Sequence, residues 1–277
     1  MGDFTSGTWT VPPLTTGWAV VGGLPMHYRS ALGAGPDAPA IVHVHGFGIS
    51  GTYMQPTAAQ LAPQYRTYVP DLPGHGRSMR LEGRLDLPRL ADHLAEFCHE
   101  MGVERATFVG NSLGCPVICA LAHRSPELVE RAVLVSPAGG PNNQPLTRAV
   151  GQMVQDSVRE PLSMVPIAVR DYLRFGVVTG LRLFKAMTEF PTVDRLQELK
   201  VPVLAIAGER DPLVRVDRVT VLRGMSHVRA AVVPGAHALN YSHPDTIAAL
   251  IRAHADDAPF EAATGPLAGV RELRVPA

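Results

Sequence analysis

The sequence predicts an α/β domain: a mostly parallel central sheet flanked by helices and interrupted by one all-helical insertion. Three observations carry that prediction. Short apolar runs bounded by glycine, proline or aspartate recur at residues 40–45, 65–70, 106–110, 131–136, 201–207 and 228–233. Segments of helical period lie between most of them, and buried strands that alternate with helices assemble into a parallel sheet covered on both faces. Residues 138–196 keep helical spacing throughout, with no strand-like run.

In chain order, residues 18–21 and 26–30, separated by Gly22-Gly23, read as an antiparallel hairpin on the edge of the sheet. The run 40–45 is a buried strand followed by a helix that starts near Thr52 or Tyr53. That start places Pro56 in the first helical turn, where a missing N–H is tolerated. After the strand at 65–70, Leu87, Leu90, Leu94, Phe97 and Met101 mark one face of a helix. Strand 106–110 runs into a second such helix, carrying Val117, Ile118, Leu121 and Ala122. Beyond strand 131–136, apolar positions such as Met153, Leu162, Ile167, Phe175 and Phe184 repeat at helical intervals, and Pro161, Pro166 and Gly176 cut the stretch into short helices. The core domain is therefore expected over 1–137 and 197–256, with the insertion at 138–196. Residues 257–277, rich in alanine, proline and glycine, are expected to form a loosely held tail.

The chain has 277 residues, of which 46% are apolar, enough for one large core. Its 25 basic and 25 acidic side chains cancel, so no overall charge points to nucleic acid or an anionic membrane as a partner. The segment MGDFTSGTWT lacks the basic and apolar regions of a secretory signal; Gly2 and Ser6 fit the loose myristoylation pattern without a polybasic second signal. No apolar stretch approaches the roughly 18–20 residues needed to span a bilayer. Cys98, Cys115 and Cys119 cannot all pair and show no C-x-x-C spacing, as expected of reduced, buried thiols in a cytoplasmic protein.

Two glycine motifs compete for a functional reading. In HGFGISG, Gly46, Gly48 and Gly51 have dinucleotide-fingerprint spacing, with Asp71 twenty residues on. A pyrophosphate site would need the helix to begin near Gly48, which would bury Pro56 two turns inside it at a cost of ~3 kcal/mol. In VGNSLGC, Ser112 stands between Gly110 and Gly114 at a strand-to-helix turn. Such a turn exposes Oγ, and the helix amino terminus adds N–H groups and partial positive charge.

A serine hydroxyl needs a base to take its proton and a carboxylate to orient that base. Asp211, in GERDPLV, and His237, in PGAHALNYSHP, each follow a strand, and the order Ser, Asp, His is the one that accompanies a G-x-S-x-G turn. Glu209 is the alternative orienting acid. With HVHGFG and PDLPGHGRS upstream, these blocks resemble the α/β-hydrolase fold superfamily from about residue 15 to 256. The resemblance implies a Ser112–His237–Asp211 triad and an oxyanion hole made by the backbone N–H groups of Phe47 and Leu113. It makes the helical insertion a cap, and it favours Asp211 over Glu209.

His43 is expected to be a packed, hydrogen-bonded core residue, His45 to shape the loop that positions Phe47, and His227 and His243 to lie on the surface. His75, Asp71 and Arg77 belong to a turn that resembles a structural block of the superfamily. No His, Cys, Asp and Glu grouping has metal-site spacing, and no cofactor is implied. A serine at position 112 departs from the dehalogenases and epoxide hydrolases of this fold, which carry aspartate there. Asn111 fits the carbon–carbon bond hydrolases, whereas HGFGISG and HALNY depart from their pattern. Hydrolysis of carboxylic esters or lactones of small to medium apolar substrates is the default expectation. A carbon–carbon bond hydrolase and a hydrolase-like receptor remain alternatives.

Overall fold

A computed structural model of the protein describes residues 14–33, 35–83, 85–139, 144–220, 225–260 and 265–273. Gly2 and Ser6 of the myristoylation pattern lie outside them. Among the described residues nine strands form one sheet in the order β1-β2-β4-β3-β5-β6-β7-β8-β9. β1 (Thr15–Val21) and β2 (Leu24–Ala31) form the expected edge hairpin through Gly22 and Gly23, both at positive φ. The parallel centre comprises β3 (Ala40–Val44), β4 (Arg66–Pro70), β5 (Ala106–Asn111), β6 (Val129–Val135), β7 (Val203–Gly208) and β8 (Val228–Val233). These strands are the six apolar runs of the sequence, shifted by a residue or two at their ends. β3 is buried along its whole length, as helices on both faces require.

The helices over the sheet are α1 (Gln55–Leu61), α2 (Leu87–Glu100), α3 (Gly114–Arg124), α8 (Val216–Thr220), α9 (Leu239–Ser242) and α10 (Pro244–Ala255). A 3-10 turn over Gly51–Met54 precedes α1, so Pro56 falls in the first turn of α1, as the helix-start argument requires. Asp86 caps α2 through Arg89 N–H at 3.1 Å, and Leu87, Leu90, Leu94 and Phe97 are buried along its inner face. Between β6 and β7 lie α4 (Leu146–Ser157), α5 (Val165–Phe175), α6 (Val177–Glu189) and α7 (Thr192–Glu198), with no strand among the described residues there. Gly176, at φ 82, makes the break between α5 and α6. No described helix is long and apolar enough to cross a membrane.

A loosely held tail is expected at 257–277; of its described residues, 257–260 and 265–273, several are held against the sheet. Phe260 is buried, and Arg229 lies over its ring at 3.5 Å. Arg229 also donates to the carbonyl of Ala258 and pairs with Glu272. β9 (Arg271–Glu272) then extends the sheet antiparallel to β8. Composition misjudged this segment because its anchors are one aromatic ring and one arginine on a distant strand. The three cysteines are free and buried, and burial pushes the thiols of Cys98 and Cys119 up to about 12.

The strand order reverses beside β3. The chain passes from β3 to β4 on one side, then crosses to β5 on the other. In an open α/β sheet the crevice at such a reversal, beyond the carboxyl ends of the strands, is where ligands bind. Here the ends of β3 and β5 carry the HGFG turn and Ser112.

Candidate active site

Ser112 sits on the turn between β5 and α3 at φ 54, a left-handed backbone that L-residues rarely adopt. The turn holds because Ser112 N–H donates to the carbonyl of Val135 at 3.0 Å, while Cys115 N–H donates to the carbonyl of Ser112 at 3.1 Å. Both flanking glycines are required by close approach. A Cβ on Gly114 would overlap the carbonyl oxygen of Val44, and one on Gly110 would stand 2.8 Å from the carbonyl carbon of Gly114. Leu113 caps α3, whose first N–H groups have no intrahelical acceptor.

His237 follows β8, and its Nδ1 donates to Asp211 Oδ2 at 2.8 Å, which leaves Nε2 as the proton-accepting nitrogen. Asp211, after β7, uses its other oxygen to accept from Leu213 and Val214 N–H at 2.8 and 2.9 Å. Its carboxylate is therefore fixed on both sides. Burial alone would raise the Asp211 carboxyl; the imidazole beside it outweighs that and lowers it. Glu209 points elsewhere, to Arg271 on β9 at 2.8 Å. Ser112 and His237 line one cavity of about 180 Å³ with Gly46, Phe47 and Asn111. Most of the remaining wall comes from the insertion, including Met153, Met164, Phe184 and Met187. Among the described residues, neither Phe47 N–H nor Leu113 N–H has an internal acceptor.

The turn after β3 is held by side chains. Leu72 N–H donates to His45 Nε2 at 2.8 Å, so the ring proton is on Nδ1, which donates to the Gly46 carbonyl at 2.9 Å. Burial lowers the pKa of His45 and keeps the ring neutral for this task. Asp71 anchors the next turn. Its Oδ1 accepts from Arg29 and Gly51 N–H, both at 2.8 Å, and its Oδ2 accepts from His27 at 2.9 Å and Arg77 N–H at 3.2 Å. The Asp71 of the dinucleotide-like spacing is thus consumed in structure, together with the Gly51 N–H. His43 corrects the expectation of a hydrogen-bonded core residue: it is fully buried, and neither ring nitrogen has a partner among the described residues. Burial drives its pKa down to about 3, so it stays neutral. His227 and His243 are half-buried and hydrogen-bonded, to the Leu196 carbonyl and to Ser242, rather than on the open surface.

Four side chains in the site carry roles that the sequence reading missed. Tyr53 Oη accepts from Gly46 N–H at 2.8 Å and donates to Asn111 Oδ1 at 2.7 Å. Asn111 Nδ2 in turn donates to the carbonyls of Val135 and His237, both at 3.1 Å. One phenol and one amide therefore tie the turn after β3 to the histidine loop. Tyr53→Phe is expected to leave two buried groups unpaired, lowering stability by about 1–3 kcal/mol and kcat more than KM; urea denaturation and steady-state kinetics check both. Asp156 and Glu160, from α4 and the turn after it, contact the same loop. The signal for Asp156 is visible afterwards: with Ala149 and Met153 it occupies the stripe of α4 reserved for apolar residues, while Glu160 lies beyond the helix end. Among the described residues no group of three or more His, Cys, Asp or Glu side chains could hold a metal ion.

A family model described as the alpha/beta hydrolase fold matches residues 39–166. The chain is 30% identical over 153 residues to an uncharacterized protein of Mycobacterium tuberculosis, a match covering 55% of this chain and 45% of that one. It thus spans less than half the length of that relative. Carboxylesterase YbfK of Bacillus subtilis is 28% identical over 242 residues, 78% of this chain and 80% of that protein. Its crystal structure superposes with a TM-score of 0.71 at 24% identity, covering 90% of this chain and 94% of that one. The enol-lactonase from Burkholderia xenovorans superposes with a TM-score of 0.74 at 22% identity, covering 87% of this chain and all of the other. At such identities the superpositions establish the fold alone.

Proposed function

We propose that this chain, which belongs to the α/β-hydrolase fold superfamily, is a serine hydrolase that cleaves carboxylic esters or lactones of small to medium apolar substrates. The observation that carries the reading is the 2.8 Å bond from His237 to Asp211 in a cavity that Ser112 also lines. His237 Nε2 takes the Ser112 proton as Oγ attacks the carbonyl carbon. The tetrahedral oxyanion forms against the N–H groups of Phe47 and Leu113, each worth roughly 3–4 kcal/mol by analogy with such donors elsewhere. Protonated His237 gives its proton to the leaving alcohol, and the ester bond breaks to an acyl-enzyme on Ser112. Water then attacks the acyl carbon, its proton passing to His237 and on to the departing Oγ. Asp211 stays ionised and holds the imidazole tautomer.

The insertion acts as a cap, and its methionines and Phe184 supply an apolar wall for the acyl or alcohol group. The YbfK carboxylesterase and the enol-lactonase support ester and lactone chemistry on this fold. Three free buried thiols support action in a reducing compartment, the cytoplasm.

Hydrolysis of a p-nitrophenyl ester series from acetate to decanoate tests the reading. Turnover is expected to peak at a short or medium chain and fall as the acyl group outgrows the cavity. Rates no faster than buffer for every ester and for simple lactones would overturn it, leaving the carbon–carbon hydrolase or the receptor.

A further inference from the structure

The histidine loop is gripped from above. Asp156, in the last turn of α4, accepts from the backbone N–H of His237 at 3.3 Å, and Glu160, just past that helix, accepts from Ala238 N–H at 2.7 Å. Ala238 is the cap residue of α9 and offers no side-chain cap of its own. Glu160 therefore supplies from another element what a capping-box glutamate supplies from within a helix. Both carboxylates are half-buried in the wall of the cavity that Ser112 and His237 share. Among the described residues neither forms an ion pair with arginine or lysine. A half-buried carboxylate with no arginine or lysine beside it is costly, and two of them in the wall of one cavity call for a function.

We propose that Asp156 and Glu160 are positioning residues: from the cap they hold the backbone of His237 and Ala238, and so keep the imidazole aligned between Asp211 and Ser112. The inference rests on the serine-hydrolase reading and adds a coupling to it. The base is competent only while the cap is seated on its loop, because α4 and the histidine loop share these two bonds. Misplacing a catalytic group by even an ångström costs about 100-fold in rate, so a backbone grip of this kind has leverage on kcat.

The same two groups act through charge. The titratable groups facing His237 are Asp211 from the β7 loop, Asp156 and Glu160 from the cap, and Tyr53 and Tyr172 on the cavity wall. Burial alone would lower the imidazole; Asp211 first, then Asp156 and Glu160, reverse this and raise it to about 9. Burial also raises Asp156, to about 6, and Glu160 above its ordinary value. A general base works in its neutral form, so kcat/KM is expected to rise with pH toward a midpoint near 9.

The test compares wild type with Asp156→Asn, Asp156→Ala, Glu160→Gln and Glu160→Ala, using the best p-nitrophenyl ester and full pH profiles. An amide keeps an acceptor oxygen but no charge. Asp156→Asn and Glu160→Gln are therefore expected to move the midpoint down by about one pH unit while holding the plateau kcat within about threefold. The alanine variants also lose the grip, and their plateau kcat is expected to fall at least ~10-fold with KM little changed. Plateau kcat in both alanine variants equal to wild type would overturn the proposal, whatever the midpoints do. If the wild type hydrolyses no ester, the hydrolase reading fails on its own. The grip is then judged by the hydrogen-exchange rates of the His237 and Ala238 backbone amides, which are expected to rise in Asp156→Ala and Glu160→Ala; unchanged rates overturn it.

Discussion

Replacing Ser112 with alanine is expected to lower kcat on the best ester by about 10⁵–10⁶-fold, the loss typical of removing a triad nucleophile. Stopped-flow or long-time-course spectrophotometry checks this, with the residual rate set by the oxyanion donors and binding alone. The fold is expected to be untouched, because alanine keeps the Cβ and the turn is held by backbone bonds to Val135 and Cys115. Ser112→Gly sharpens the point. A serine at φ 54 carries backbone strain of order 1–3 kcal/mol, and glycine releases part of it. That variant is expected to be as inactive as the alanine one yet melt at or above the wild-type temperature. Activity and stability thus pull against each other at this residue.

The second large effect concerns stability. Asp71→Ala is expected to destabilise the protein by about 3–5 kcal/mol, as removal of one partner from a buried ion pair does, measured by urea denaturation. Asp71 is fully buried, and its loss strands Arg29, whose side chain is 8% exposed, along with Gly51 N–H and His27. Burial would raise the Asp71 carboxyl, but the His27 hydrogen bond and the Arg29 guanidinium outweigh it and hold it well below the usual carboxylate range. A lowered native pKa means the stabilisation is fully present above the unfolded value of about 3.9. It is lost as pH falls through the native value. Wild type is therefore expected to lose stability in acid more steeply than the variant. Because Gly51 and Arg29 border the turn after β3, ester turnover is expected to fall too.

The strands and the turn at Ser112 were legible because they are written locally, whereas the proposed triad rests on the chain order Ser, Asp, His and on the resemblance. Apolar runs mark β3 to β8, and two glycines around Ser112 mark a turn that only glycine-sized neighbours permit. Pro56 argued for the later of two helix starts, and so against a dinucleotide site. Other features are long-range and left no local trace. Tyr53 bonds to Asn111 across 58 positions, and Asp156 reaches His237 across 81. The tail reads as loose from its composition because Phe260 and Arg229 meet only once β8 is folded. His43 shows the opposite failure: alternation placed it inward correctly, yet a hydrogen-bond partner was assumed that the packed core does not provide.

The central claim is that Ser112 is the nucleophile, and covalent trapping tests it most directly. The protein is treated with a fluorophosphonate ester, and the modified peptide is identified by mass spectrometry. A single phosphonyl group on Ser112, formed quickly in wild type and absent in Ser112→Ala, is the result expected. No adduct, or an adduct of equal yield on another residue in both proteins, would contradict the account.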